Sequence, residues 1–202
     1  MNAKCFLITE TDQIQRSLRR YSQGYPYECS RIPGQYSYHN ASVPLDVVHE
    51  SLHDELHGIH PWPTECACGY KFTDKDHRQV FTQHLYKNEA GAVMTIRDAP
   101  PGAMWFADWM IHDPKQTWYR GPDGHCLMIK GFYGDEFCPD GRASNCGLPN
   151  DDNHKCWVRV GTVPNITIGK QGGPTCNAGA GSFFFGGQRW HGFCKNGELI
   201  QG

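Results

Sequence analysis

The chain has 202 residues and a formal net charge of −2, which allows one large domain or two small ones and excludes a large multidomain assembly. Leu, Ile, Val and Phe together supply only 37 residues, and glycine and proline supply 36. Charged residues at 20% and aromatic residues at 12% still favour a compact chain over a disordered one. Because apolar core material is scarce, the ten cysteines and eleven histidines are the natural source of extra stabilisation.

The charge balance and the lack of long apolar runs restrict the partners and the compartment. The longest basic run is Arg19-Arg20. Because nucleic-acid binders contact phosphates through larger basic patches, we do not expect a dedicated nucleic-acid-binding protein. No stretch of 18 apolar residues occurs, so we expect no membrane segment and a soluble protein made in a cytoplasm. A reducing compartment favours thiolates bound to metal over disulfides.

The first half of the chain predicts a strand followed by helices. The apolar run Cys5–Ile8 is typical of a strand, and helical spacing of Ile14, Leu18 and Tyr21 predicts a helix over residues 11–21. An apolar stripe between Pro44 and Pro61 predicts a second helix of about three turns. Residues 74–86 form a third helical candidate.

After Asn88 the pattern changes to short apolar runs separated by turns, such as CLMIKGFY, KCWVRV, NITIG, SFFFGG and GELIQ. Spacings of this kind are typical of antiparallel strands in a sandwich or small barrel. The sequence therefore predicts an α+β fold, mainly antiparallel β and stabilised by zinc. We expect a mixed lobe over residues 1–95 and a β-rich lobe over 96–202, either as separate lobes or as one compact unit.

The closest pair of cysteines is Cys66 and Cys68, in the run CACGY, which is a C-x-C-G variant of a zinc knuckle. Two thiolates at this spacing can share one tetrahedral zinc ion, with Cys29 and His39 as the nearest upstream candidates for the other ligands. The alternative interpretation is a pair of buried or free thiols, because unpaired cysteine is among the most buried residue types.

A second group lies in the β-rich half and contains Cys146, His154, Cys156 and Cys176, with His191 further along. Its spacing fits no common zinc finger, so structural zinc, a thiol cluster and plain core cysteines all remain open. Four other cysteines show no partner by spacing, and burial in the core is the default expectation for them: Cys5, Cys126, Cys138 and Cys194.

The clearest enzymatic signal is the run HESLH, from His49 to His53, on the second predicted helix. In an H-E-x-x-H motif the two imidazoles bind one zinc ion while Glu50 activates water, so this run offers a zinc metallopeptidase as an alternative function. The other interpretation is a solvated polar face of an amphipathic helix. A nucleophile elbow, a Walker loop and a dinucleotide fingerprint are absent from the sequence.

Several segments together resemble a family of uncharacterised, cysteine-rich proteins of actinobacterial tailed phages. These segments are SLRRYSQ, YHNASV, PWPTECACGYKF, APPGAMWFADWM, RASNC, HKCWVR, PNIT, AGAGS and HGF-x-x-NGE. The resemblance spans the whole chain and implies that both cysteine groups are structural features. The resemblance implies a phage source but no function, because no activity is established for the family. We expect a non-catalytic, zinc-stabilised phage protein that acts by binding or assembly on a phage structural or host protein, as a minor virion component or as an accessory protein in the infected cell. Such a protein would reside in the virion or in the host cytoplasm.

Overall fold

The computed structural model describes residues 1–22, 29, 38–45, 62–113, 118–151, 153–170 and 173–202. Within these ranges the chain forms thirteen β-strands and a short 3-10 helix at Asp108–Ile111. The strands are β1 Ala3–Lys4, β2 Phe6–Tyr21, β3 Asn40–Leu45, β4 His77–Asn88, β5 Val93–Thr95, β6 Ala103–Phe106, β7 Leu127–Lys130, β8 Glu136–Phe137, β9 Val158–Thr162, β10 Asn165–Gly169, β11 Ser182–Phe185, β12 Trp190–Lys195 and β13 Glu198–Gln201. The predicted fold, dominated by antiparallel strands, is confirmed.

The chain divides into two compact units. The large unit contains Met1–Glu10 and Tyr86–Gly202, and the small unit contains Thr11–Leu85. The long strands β2 and β4 therefore contribute residues to both units. The boundary at residue 95 remains a sequence-based prediction.

The described strands form three sheets. One sheet has the strand order β1-β13-β12-β11, and β9 and β10 form a separate hairpin. A further sheet has the order β5-β4-β2-β6-β7-β8, in which β2 and β6 run parallel while β6, β7 and β8 run antiparallel. Among the described residues no sheet closes into a barrel.

Strand β6 separates two hydrophobic clusters of the large unit. Successive side chains of a strand point to opposite faces, so Met104 enters one cluster while Ala103 and Trp105 enter the other. The Met104 cluster also contains Phe183 and Trp190 from β11 and β12. These two sheets are therefore held together by buried aromatic and aliphatic side chains.

The small unit depends on polar contacts as well as apolar ones. Strand β3 pairs with β2, with Leu18 opposite Val43, and the hydroxyl of Thr11 on β2 donates to the carbonyl of Leu85 on β4. Arg20 is buried on β2 and donates to the carbonyls of Pro63 and Thr73.

Two predicted helices are wrong, because residues 11–21 lie in β2 and most of residues 74–86 lie in β4. A separation of four residues keeps side chains on the same face in either a helix or a strand. The spacing of Ile14 and Leu18 therefore fits both structures, and pairing with neighbouring strands favours the strand. The predicted helix between Pro44 and Pro61 lies outside the described residues, apart from Leu45 at the end of β3. No helix in the described ranges is long and apolar enough to cross a membrane.

Candidate metal centres

Four residues predicted as metal ligands come together in the small unit, and we name them the first cluster: Cys29, His39, Cys66 and Cys68. Their three sulfur atoms and one imidazole nitrogen all lie within 4.8 Å of one another. The Sγ atoms of Cys29 and Cys66 are 3.8 Å apart, and Nδ1 of His39 is 3.1 Å from Sγ of Cys68. Residues that are up to 39 positions apart in the chain thus present ligand atoms to one point.

A tight turn carries the cysteine pair of the first cluster. The backbone N–H of Cys66 donates to the carbonyl of Tyr70, and the N–H of Gly69 donates to the carbonyl of Cys66, both at 2.8 Å. Gly69 has a φ of +90°, a backbone conformation that residues with a Cβ atom rarely adopt. The turn also directs the N–H of Cys68 to the sulfur of Cys66 and the N–H of Tyr70 to the sulfur of Cys68.

The two thiols of this turn have opposite pKa shifts. Burial raises the pKa of Cys66, but N–H donors from Cys68 and Asn40 outweigh burial and leave that pKa below its ordinary value. The N–H of Tyr70 lowers the pKa of Cys68, whereas burial and the neighbouring thiols raise it, and the pKa is raised on balance. One thiolate therefore suppresses ionisation of the next, and a bound cation would relieve this repulsion.

His39 is positioned by the β2–β3 pairing and by an aromatic neighbour. The N–H of Ser22 donates to the carbonyl of His39 at 2.9 Å, which continues the register in which Tyr21 lies opposite Asn40. The imidazole stacks on the ring of Tyr70 with a centroid distance of 4.2 Å and an interplanar angle of 3°. Strand pairing thus fixes the backbone of His39, and stacking fixes the plane of its ring.

The large unit holds the other predicted group, which we name the second cluster: Cys146, His154, Cys156 and Cys176. Its four ligand atoms also lie within 4.8 Å of one another. Sγ of Cys146 is 3.6 Å from both Nε2 of His154 and Sγ of Cys176, and the sulfurs of Cys176 and Cys156 are 3.8 Å apart. His191 does not join them, because it lies exposed on β12 and stacks on Phe184.

Two backbone features bring the second cluster together. The carboxylate of Asp151 accepts hydrogen bonds from the N–H groups of Asn153 and His154, which forms the turn that presents the imidazole. The N–H of Lys155 donates to the carbonyl of Pro174 at 2.7 Å, and the N–H of Cys176 donates to the carbonyl of Lys155 at 3.1 Å. This short parallel bridge places Cys176 beside Cys156.

Gly179 is a requirement of this cluster that the sequence reasoning missed. A Cβ at this position would lie 1.2 Å from the carbonyl oxygen of Cys156, so only glycine fits. The N–H groups of Ala178 and Gly179 donate to the sulfur of Cys176. The spacing from Cys176 to Gly179 is the signal that could have revealed a knuckle here.

The imidazole of His154 is oriented for coordination. Nδ1 of His154 contacts the carbonyl of Pro149, which can only accept a hydrogen bond, so Nδ1 carries the proton and Nε2 is left to face Cys146. A partner of this kind on the second ring nitrogen is the usual companion of a metal-bound histidine. In the doubly protonated ring Nε2 also donates, to Cys176, and this hydrogen bond, followed by the one to Pro149, raises the pKa of His154.

The thiols of the second cluster also differ in their pKa values. Burial opposes ionisation of Cys176, but hydrogen bonds from His154 and Gly179 outweigh it and lower the pKa to about 6. Burial is the largest influence on Cys156 and raises its pKa to about 11. Cys176 is therefore the thiolate with which metal binding can begin.

The distances between sulfur atoms in both clusters match tetrahedral coordination of a metal ion better than they match a disulfide bond. A zinc–sulfur bond of about 2.3 Å places two tetrahedral sulfur ligands about 3.8 Å apart. Three sulfur pairs have matching distances: 3.8 Å for Cys29–Cys66, 3.6 Å for Cys146–Cys176 and 3.8 Å for Cys156–Cys176. All ten cysteines are free thiols. Each cluster supplies four ligand atoms, so each can hold a metal ion with no coordination position left for substrate.

The remaining cysteines lie outside these clusters. Cys5 and Cys194 are buried in the hydrophobic cluster that contains Met104. Cys126 is buried in the hydrophobic cluster that contains Trp105, and Cys138 packs against that cluster. The sulfurs of Cys126 and Cys138 are 3.7 Å apart. The run HESLH, including Glu50, lies outside the described residues.

A buried ion-pair network near the second cluster was also missed. Nε of Arg159 donates to Asp140 at 2.8 Å, and Nη1 donates to Asp123 at 2.8 Å. The side chains of Arg159 and Asp140 are only 2% and 5% exposed. Burial raises the pKa of Asp140 on balance, although Arg159 opposes this shift. A lone arginine in a strand-like run gives no sequence signal of these partners.

No family model matches the chain, and comparisons with curated proteins and with solved structures also find no match.

Proposed function

We propose that each cluster binds one zinc ion and that both ions are structural. The observation that carries this proposal is the closed set of three sulfurs and one imidazole nitrogen in each cluster. Such Cys₃His sets are typical of structural zinc, whereas catalytic zinc has three protein ligands and an open position. Soft thiolates also disfavour magnesium, calcium and manganese, which prefer oxygen ligands.

We further propose that the protein is a non-catalytic phage protein that acts by binding or assembly. Closed metal centres support stabilisation as the role of the metal, and the resemblance of the sequence segments supports a phage origin. The partner would then be a phage structural protein or a host protein. The protein would act as a minor virion component or as an accessory protein in the infected cell.

Zinc stoichiometry tests the proposal. Protein purified under reducing conditions without chelators should contain two zinc ions per chain by elemental analysis, one for each cluster. Cys68→Ser should retain one ion, and Cys138→Ser, which alters a thiol outside both clusters, should retain two. A zinc content near zero in the unaltered protein, or two ions in Cys68→Ser, would contradict the assignment.

The same measurement examines the peptidase alternative. Zinc bound by His49 and His53 would add a third ion, and Glu50→Gln would then abolish peptidase activity while leaving that ion bound. We expect two ions and no measurable change in Glu50→Gln. Mass spectrometry of purified virions then distinguishes the two locations, since only a virion component is present there in stoichiometric copies.

A further inference from the structure

A cleft with a volume of about 580 Å³ lies in the large unit beside the second cluster. This volume falls within the range of about 300–1,000 Å³ that is typical of small-molecule sites. Its lining includes the side chains of Trp118, Arg120, Asn150, Asp151, Lys155 and Arg159. None of the four ligands of the second cluster lines the cleft.

The second cluster builds one wall of this cleft. Lys155 lies between the ligands His154 and Cys156 in the chain, and its backbone bonds to Pro174 and Cys176 hold the facing segment in place. Gly173 and Pro174 from that segment also line the cleft. A metal ion that fixes His154, Cys156 and Cys176 would therefore fix this wall as well.

The floor of the cleft contains a buried ion pair and a buried polar atom that has no partner among the described residues. Arg159 and Asp140 form the buried ion pair, and Nδ2 of Asn150 donates to the carbonyls of Asp140 and Gly141 at 3.1 and 2.8 Å. These bonds fix the orientation of the amide. Asn150 is 7% exposed, and its Oδ1 accepts no hydrogen bond from any described residue. A buried acceptor of this kind usually has a partner, such as a water molecule or a ligand.

The rim combines an aromatic side chain with both signs of charge. Trp118 is 38% exposed, and Nζ of Lys155 lies 3.4 Å from its carbonyl oxygen. Arg120 and Asp151 are exposed beside it. Arg159 is already paired with two carboxylates, so the cations that the rim offers are Arg120 and Lys155, and the carboxylate of Asp151 lines the same cleft.

We propose that this cleft binds a neutral carbohydrate. Sugar hydroxyls donate and accept hydrogen bonds at once, which suits a rim that offers the donors Arg120 and Lys155 together with the acceptor Asp151. The apolar C–H face of a sugar ring can pack on the exposed indole of Trp118. The carboxylate of Asp151 at the same rim disfavours nucleotides and other strongly charged anions. This inference rests on the proposed function in one respect, since it names the ligand class of a protein that acts by binding.

Isothermal titration calorimetry with four neutral trisaccharides tests the proposal: maltotriose, cellotriose, mannotriose and triacetylchitotriose. We expect at least one of them to bind. Trp118→Ala should weaken that binding by about tenfold or more. Trp109→Ala is the matched control, because Trp109 is 52% exposed and does not line the cleft. It should bind like the unaltered protein.

Polar contacts are tested in the same way. Lys155→Gln should weaken binding severalfold, and Arg142→Gln, which alters an exposed cation away from the cleft, should leave it unchanged. Absence of binding by all four sugars, or equal binding by Trp118→Ala and the unaltered protein, would overturn the proposal. So would binding of adenosine monophosphate that is lost in Trp118→Ala while no sugar binds.

Zinc content measured on the same sample separates the two proposals. Two zinc ions per chain without sugar binding would overturn the carbohydrate site and leave the metal assignment intact. Sugar binding by a sample that never contained zinc would overturn the metal assignment and leave the carbohydrate site intact. If both proposals hold, removal of zinc by a chelator should abolish sugar binding, because the Lys155 wall is then no longer fixed.

Discussion

Replacing Gly179 with alanine introduces a methyl group where the structure has no room. The new Cβ would lie 1.2 Å from the carbonyl oxygen of Cys156, and ordinary contacts begin at 3.4 Å, so the two atoms must separate by about 2.2 Å. Both atoms belong to fixed parts of their residues, and rotation of a side chain cannot relieve the clash. Metal–ligand distances tolerate only about 0.2 Å, so the second cluster should lose its ion.

We expect this variant to lose one of two zinc ions and at least about 3 kcal/mol of stability, which is the upper end of the usual cost of overpacking. For a chain of this size the melting temperature should fall by about 6–12 °C. Elemental analysis and thermal denaturation followed by circular dichroism provide the two measurements.

Gly147→Ala is the matched control for this experiment. Gly147 follows the ligand Cys146, is exposed, and has no atom within 4 Å of an added Cβ. It should keep both ions and change stability by no more than about 0.5 kcal/mol. A Gly179→Ala protein with two zinc ions and an unchanged melting temperature would refute the close approach of Gly179 to Cys156.

Two thiols and one buried ion pair of the large unit should have effects that depend on pH. In zinc-free protein, iodoacetamide should modify Cys176 with a pH midpoint of about 6, whereas Cys156, which is fully buried and has a pKa raised to about 11, should resist modification, as peptide mass mapping would show. Because the pKa of Cys176 is depressed on folding, its contribution to the stability of the zinc-free protein should disappear as the pH falls through about 6; a shared midpoint for both thiols would contradict this. Arg159→Met should cost about 3–5 kcal/mol in urea denaturation because Asp140 is left buried and unpaired. The loss should be smaller at pH 5 than at pH 8, since unpaired Asp140 then has a raised pKa and binds a proton; Arg142→Met should have no effect at either pH.

The residues of both clusters could be predicted from the sequence because cysteine and histidine have a specific metal-binding chemistry. Cys66 and Cys68 lie in a recognisable knuckle, and Cys29 and His39 were the nearest candidates upstream. The spacing in the second cluster matches no common motif, and a parallel bridge between Lys155 and Thr175 brings its last ligand into place. Nothing local in the sequence indicates that bridge.

The elements that sequence reasoning missed depend on tertiary contacts. Residues 11–21 contain only three apolar side chains, and two of them have a spacing that helices and strands share. Strand formation there depends on pairing with β3 and on buried acceptors for Arg20, neither of which a local pattern reveals. The short runs after Asn88 were predicted well because β-branched and aromatic residues flanked by turns have few other structures available.

The two units differ in how much they depend on metal. Both clusters of buried apolar side chains among the described residues lie in the large unit, where β6 has one on each side. In the small unit the buried residues include Ser17, Arg20, Ser22 and Asp76, which contribute little hydrophobic free energy. The first cluster joins the segments that carry Cys29, His39 and Cys66, and no cluster of buried apolar side chains among the described residues connects these segments. Loss of the first ion should therefore unfold the small unit, whereas loss of the second should loosen one end of a unit that keeps its aromatic core.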